Sequence, residues 1–162
     1  MKKFYFFLEE SVNNVERFSP PEDPLGELSH LEMGLRRFCF ENNQKVLIKL
    51  GNKRKEILLD PDISLILEEL PEKIYQLLTG QTIELDFPES CFTICFDAVD
   101  IWKVNCIWKE YGYYHEAKTF SLEREQVLDV LKNFLNEIIS KAVKKRYISD
   151  REKEEFMQSI IK

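Results

Sequence analysis

Glycine, proline and histidine are scarce in this chain, with five Gly, six Pro and two His among 162 residues. So little Gly and Pro excludes collagen-like chains, low-complexity chains and proteins rich in flexible linkers. Only His30 and His115 could build a histidine-based catalytic triad or metal site, and neither lies within such a motif. We interpret His115 as a histidine at the edge of a sheet, and we predict no metal and no cofactor.

Long hydrophobic runs are also missing, since no stretch approaches the roughly 20 apolar residues of a membrane-spanning helix. The apolar run of residues 4–8 ends at Glu9, whereas the apolar core of a signal peptide needs roughly 7–15 residues. We therefore interpret residues 4–8 as a first β-strand. The sequence predicts a soluble, cytoplasmic protein with no membrane partner.

Cysteine is sparse and lacks the spacing of zinc sites and redox motifs. None of the four cysteines belongs to a C-x-x-C pair, and no histidine lies near them at the spacing of zinc ligands. All four fall in apolar runs that are typical of strands. We predict reduced thiols in the core, with a disulfide or a metal site as the alternatives. The four are Cys39, Cys91, Cys95 and Cys106.

Apolar and aromatic residues are abundant, at 44% hydrophobic residues with twelve Phe, six Tyr and two Trp. A chain of this length can bury about two thirds of its unfolded surface in one core, which predicts a single domain over residues 1–162. After an irregular segment at residues 9–32, apolar residues recur with period two and predict a three-stranded antiparallel meander. Its strands are residues 38–40, 46–50 and 56–59.

A helix is predicted to follow this meander. Asp60 and Pro61 are typical of a helix start, with Asp60 as the N-cap. Pro71 should kink the helix or start a second one, and Gly80 should end it. A second meander should then run through residues 82–87, 91–96, 101–109 and 113–120, with turns at residues 97–100 and at Gly112.

The last part of the chain predicts a long amphipathic helix and a short one. Ser121 is a candidate N-cap for the long helix, and Ser149 and Glu152 have the spacing of a capping box for the short one. Trp102 and Trp108 are predicted to share one strand face, which we assign to the core, with a partner interface as the alternative. The expected fold is α+β, an antiparallel sheet of two meanders with helices packed on one face.

Acidic residues cluster between Asp60 and Asp100, where ten carboxylates face the single cation Lys73. The local charge of −9 contrasts with +3 for the remaining residues, and clustered charge of one sign orients association with a partner of opposite sign. We predict a partner interface made of acidic residues and nearby tyrosines, although solvated faces would also explain the acids. Its candidate residues are Glu68, Glu69, Glu72, Glu84, Asp86, Asp97, Asp100, Tyr111 and Tyr113.

Two other functions are an enzyme and a nucleic-acid-binding protein. Glu84 and Asp86 lie two residues apart on one strand face and could share a proton or bind a cation, which leaves a small enzyme as an alternative. The cations of residues 141–146 end a helix, where its dipole favours them, and the isoelectric point near 5.1 argues against nucleic acid as a partner.

One segment resembles a known group of proteins. Ile107-Trp108-Lys109-Glu110-Tyr111-Gly112, followed by Phe120-Ser121-Leu122 and a helix with Val130, Phe134 and Leu135, is similar to small bacterial proteins over about residues 74–147. Some members are assigned by gene neighbourhood as immunity proteins of polymorphic toxin systems. The resemblance implies a non-enzymatic acidic domain that covers a toxin, often a basic nuclease, and it supplies no catalytic residues. A homo-oligomeric structural protein is the further alternative, and the sequence leaves monomer and homodimer open.

Overall fold

Two antiparallel sheets form the framework of the protein. The computed structural model describes residues 3–9, 21–112 and 115–161. The first sheet has the order β1-β2-β3 and the second the order β4-β5-β6-β7. The strands are β1 (Phe4–Leu8), β2 (Lys45–Leu50), β3 (Lys53–Leu58), β4 (Ile83–Phe87), β5 (Phe92–Ala98), β6 (Lys103–Glu110) and β7 (Glu116–Glu123). The predicted α+β fold class is confirmed, and the second meander has four strands.

Helices connect and cover these sheets. They are α1 (His30–Glu41), α2 (Ser64–Ile66), α3 (Leu70–Leu78), α4 (Arg124–Lys144) and α5 (Asp150–Ile161). A π-helical turn at Leu59–Ile63 and 3-10 turns at Leu67–Glu69 and Pro88–Ser90 lie between them. Among the described residues, no helix is both long enough and apolar enough to cross a membrane.

Helix α1 replaces the strand predicted at residues 38–40, so that prediction was wrong. Ser29 Oγ accepts from the amide of Glu32 at 3.1 Å, and Glu32 Oε1 accepts from the amide of Ser29 at 2.9 Å. This capping box fixes the helix start, and the buried Leu35 and Phe38 lie on one helix face. The third strand of the first sheet is instead β1, which pairs with β2.

Asp60 is not the predicted N-cap. Its backbone is extended, with φ −124° and ψ 121°, and its carboxylate accepts from Ser64 Oγ at 3.2 Å. The neighbouring Asp62, only 2% exposed, accepts from the amide of Leu58 at 2.9 Å and from Ser90 Oγ at 3.0 Å. Asp62 therefore ties the end of β3 to the turn between β4 and β5.

A second helix does begin at the predicted proline, because Pro71 occupies the first turn of α3. The helix ends at Leu78, before Gly80, whose φ of +91° is a conformation that favours glycine. The predicted stop signal is confirmed.

The inner face of the second sheet packs into the core, and the two tryptophans separate there. Trp108 is fully buried, whereas Trp102 is 72% exposed, so the prediction of a shared core face was wrong for Trp102. The physical reason is the strand start, since β6 begins at Lys103 and leaves Trp102 in the preceding turn. Ser121 likewise lies within β7, and the N-cap of α4 is Glu123, without a side-chain cap bond.

Helix α4 crosses the core with the predicted apolar stripe. The stripe is buried throughout, and Phe134 meets Phe6 of β1 with ring centroids 4.4 Å apart. Its residues are Val127, Leu128, Leu131, Phe134, Leu135, Ile138, Ile139 and Ala142. The predicted capping box of α5 is confirmed, because Ser149 and Glu152 exchange hydrogen bonds of 2.9 and 3.1 Å.

The two sheets meet where the β2–β3 turn reaches β7. A Cβ at Gly51 would lie 2.3 Å from the Phe120 ring, and the φ of +59° at Gly51 also favours glycine. Beside it, Lys118 Nζ donates to Asn52 Oδ1 at 3.0 Å. Lys118 pairs with Trp108 in the sheet register and so lies on the inner face of β7, the last strand of its sheet.

The cysteines only partly follow the prediction of core thiols. All four are free, and burial raises the pKa of Cys39 and Cys106. Cys95 is half-buried, and Cys91 is exposed, because it lies in the turn before β5 at a φ of 50°. Core burial was therefore wrong for Cys91.

Candidate functional site

The outer face of the second sheet brings together three of the predicted interface carboxylates. Strand β4 alternates between buried and exposed residues, which turns Glu84 and Asp86 to solvent. In the register with β5, Glu84 lies opposite Cys95 and Asp86 opposite Thr93. Asp97, two residues after Cys95, therefore shares their face. We call Glu84, Asp86 and Asp97 the acidic sheet face.

Neutral donors hold the middle of the acidic sheet face. Asp86 Oδ1 accepts from Thr93 Oγ1 at 2.6 Å and from Tyr111 Oη at 3.1 Å. Desolvation and the neighbouring Asp86 carboxylate together raise the pKa of Tyr111. The tyrosine is thereby oriented while 36% of it stays exposed.

The other two carboxylates also bond to uncharged groups. Asp97 Oδ1 accepts from Thr82 Oγ1 at 2.7 Å, and Glu84 Oε2 accepts from Cys95 Sγ at 3.8 Å. Burial and the Glu84 carboxylate raise the pKa of Cys95. Lys73 Nζ contacts the backbone oxygen of Glu84 at 2.6 Å rather than its carboxylate. Within the described part of the chain, none of the three carboxylates forms an ion pair.

The rest of this outer face has a different character. Strand β6 contributes the exposed Lys103 and Lys109, and β7 contributes the exposed Thr119 and Ser121. The register places Lys109 opposite Thr93 and Ser121 opposite Asn105. The outer face is therefore acidic along β4 and β5 and basic along β6. Strand β7 contributes small neutral residues and, opposite Lys103, the exposed carboxylate of Glu123.

Glu68 does not contribute a free carboxylate. It accepts from both Arg36 Nε at 3.2 Å and Arg36 Nη2 at 3.0 Å. Such a two-point pair fixes both side chains, and Glu68 is half-buried. We assign this predicted interface residue to the contact between α1 and the turn before α3.

The remaining predicted residues lie on separate elements. Glu69 and Glu72 are exposed, the first immediately before α3 and the second in its first turn. Asp100 Oδ1 accepts from the amides of Trp102 at 2.6 Å and Lys103 at 2.7 Å, and these bonds hold the pKa of Asp100 below its ordinary value. Asp100 is therefore a turn cap. Tyr113 lies outside the described residues.

The sequence interpretation missed an exposed apolar tip next to Asp100. Ile101 is 69% and Trp102 72% exposed, in the turn between β5 and β6. A signal was present, because Asp97 and Asp100 on either side of Val99 predict a turn. The predicted strand nevertheless begins at residue 101, two residues before β6. Both side chains are of types that anchor interfaces.

The chemistry of the acidic sheet face is that of an acceptor surface. Its carboxylates are exposed, and neither His30 nor His115 contacts them in the described residues; His30 Nδ1 lies 3.0 Å from Glu152. Across residues 3–9, 21–112 and 115–161, no group of three His, Cys, Asp or Glu side chains could hold a metal ion. The face offers negative charge and hydrogen-bond acceptors to an approaching surface.

Comparison with family models, with curated proteins and with solved structures found no match for this chain.

Proposed function

We propose that this protein is a non-enzymatic protein-binding module whose acidic sheet face binds a positively charged partner protein. The observation that carries the proposal is the set of three carboxylates on one face, each bonded to a neutral donor and, within the described ranges, none to a cation. Carboxylates already paired within a chain would lose that pairing on binding. Unpaired ones gain a partner without such a loss.

The geometry also provides an anchor for this contact. Tyr111 reaches Asp86 through its hydroxyl, and tyrosine with one hydrogen-bonded end is a frequent interface hot spot. Because Thr93 bonds to the same carboxylate oxygen, the acid and the tyrosine are both oriented before a partner arrives. Pre-orientation lowers the entropy lost on binding.

The narrower form of the proposal is an immunity protein that occludes a basic toxin. Its support is the resemblance of residues 74–147 to small bacterial proteins of that kind, together with the acidic sheet face. A basic nuclease domain would present the charge that this face lacks, and its association would be fast and salt-dependent.

The test compares three forms of the protein as bait in extracts of the source cell. The wild type should capture a basic protein that the variant with Glu84→Lys and Asp86→Lys does not capture. A variant with Glu154→Lys and Glu155→Lys on α5 carries the same net charge and should behave as wild type. With the captured protein purified, the sheet variant should associate at least about tenfold more slowly, with a flatter salt dependence. Equal capture by all three forms would contradict the proposal.

A further inference from the structure

A groove lies next to the exposed tip of the second sheet, and its lining does not include the residues of the acidic sheet face. It has a volume of about 600 Å³ and lies between the β5–β6 turn and the first turns of α4. Ile101 and Trp102 rise beside it, and Leu78 and Leu128 line it from α3 and α4. The amide of Arg124 donates to the carbonyl of Trp102 at 2.8 Å, which ties the tip to the helix start.

The rim of this groove carries equal numbers of positive and negative side chains. Its rim carries three cations and three carboxylates, which are Lys103, Arg124, Lys132, Glu123, Glu125 and Asp129. In the described part of the chain, none of the three carboxylates forms an ion pair. Among the described residues, Arg124 Nε is buried and has no hydrogen-bond partner.

We infer that a second copy of this chain occupies the groove, in a two-fold symmetric dimer. Such an interface uses the same patch on both copies, so the patch must be complementary to itself in shape and charge. This patch combines an exposed apolar pair, Ile101 and Trp102, with a groove that Leu78, Leu128 and six charged side chains line, three of each sign.

Helix α4 suggests how the two copies face each other. With a two-fold axis beside Leu128, two antiparallel α4 helices place Glu125 of one copy opposite Lys132 of the other. Each Trp102 then enters the groove of the other copy, whose volume is sufficient for an indole ring. Two tryptophans and two isoleucines bury only several hundred Å² in all, which is the size of weak complexes. We therefore expect a weak dimer that dissociates on dilution.

Sedimentation velocity over a hundredfold concentration range tests this inference on the full chain. Wild-type protein should pass from monomer to dimer, and Trp102→Ala should weaken the dimer by roughly tenfold or more. Leu65→Ala, which removes another exposed apolar side chain at 53% exposure, is the matched control and should leave the dissociation constant unchanged. A wild-type protein that stays monomeric would overturn the inference, and so would equal dimerisation of the Trp102→Ala variant.

A charge exchange between copies gives a second, independent test. Lys132→Glu alone and Glu125→Lys alone should each dimerise poorly, because like charges then oppose each other across the two-fold axis. An equimolar mixture of the two variants should recover dimers, since both opposing pairs become attractive in the mixed species. Failure of the mixture to recover would contradict the facing of residues 125 and 132. The variant with Glu84→Lys and Asp86→Lys should dimerise as wild type, which separates this inference from the proposed function.

Discussion

The outer faces of the two sheets treat charge in opposite ways. On the first sheet, cations and acids neutralise each other within the chain. Glu56 lies 3.6 Å from Lys45 and 2.9 Å from Arg54, and Arg54 also lies 3.6 Å from Glu9. These pairs are exposed, so each contributes little to stability, but the two cations and two carboxylates that form them cancel in charge.

On the second sheet, the carboxylates of the acidic sheet face bond to hydroxyl and thiol groups instead. Thr82 and Thr93 orient Asp97 and Asp86 without neutralising them. Clustered charge of one sign destabilises the folded state by self-repulsion, and a bound partner of opposite charge offsets this cost. The comparison teaches that charge pairing, rather than the number of charged residues, distinguishes a solvated face from a candidate interface.

The largest expected effect separates the inner side of the second sheet from its exposed tip. Trp108→Ala should lower the free energy of unfolding by about 3–5 kcal/mol, because the ring is fully buried against Phe92. Trp102→Ala should change it by less than about 0.5 kcal/mol. Denaturation in urea, followed by circular dichroism, measures both. Similar losses for the two variants would contradict the assignment of Trp102 to the surface.

The next effect lies at the junction of the two sheets. Gly51→Ala should destabilise the protein by about 1–3 kcal/mol more than Gly26→Ala, since its Cβ would meet the Phe120 ring. Gly26 has a similar φ of +65° with nothing within 4 Å, so the difference isolates the contact between the sheets. Thermal unfolding of the two variants in parallel gives the comparison. Equal destabilisation would show that Phe120 moves aside freely.

The contributions of Asp62 and Asp100 to the free energy of unfolding should change with pH in opposite directions. Burial raises the pKa of Asp62 in the folded state, so its contribution to stability is greatest below its ordinary pKa near 3.8 and is lost as the pH rises. Wild type should therefore gain stability over Asp62→Asn between about pH 7 and pH 4 as the solution is acidified. The free energy of unfolding of both proteins, measured across this range, tests the slope.

Asp100 should behave in the reverse direction. The amides of Trp102 and Lys103 lower its pKa below the ordinary 3.8, so its contribution is present at neutral pH and is lost on acidification through that value. Wild type should lose stability relative to Asp100→Asn as the pH falls from about 5 to about 3. If the stability difference between wild type and variant changed with pH in the same direction for Asp62→Asn and Asp100→Asn, one of the two assignments would be wrong.

The smallest effect contrasts the two outer faces directly. Glu56→Lys should lower the free energy of unfolding by about 1 kcal/mol or less, because it replaces two attractions with repulsion from Lys45 and Arg54. Glu84→Lys should leave stability unchanged or raise it by a few tenths of a kcal/mol. Denaturation at low and high salt measures both, and the difference should shrink at high salt. A larger loss for Glu84→Lys would break the comparison.

Local patterns predicted much of this fold. The strict alternation of β4 put Glu84 and Asp86 on one solvent-facing side, and the apolar spacing of α4 gave its buried stripe. Helix α1 was missed because Phe38, Cys39 and Phe40 also alternate as a strand would. Its start signal, Ser29 and Glu32, has the same spacing as the pair that was recognised before α5.

The rest depended on contacts that local patterns do not contain. Glu68 looked like any exposed acid, because its partner Arg36 is 32 residues away in the chain. The position of Trp102 depended on where β6 begins. A shift of two residues at a strand end leaves the inward and outward sides of the strand unchanged, but it moves a side chain from the sheet into the turn. Such boundaries are set by tertiary pairing rather than by local preference.

Lys118 has a consequence for how this molecule behaves at high concentration. Strand β7 ends its sheet with eight residues of backbone, and such an edge is a template for strand addition by another chain. A second chain that added there would have to enclose the ammonium group on the inner face, where it contacts Asn52 and the Phe120 ring. Enclosing a charged group costs free energy, so Lys118 should disfavour the addition of another strand to this edge, which ends the sheet among the described residues.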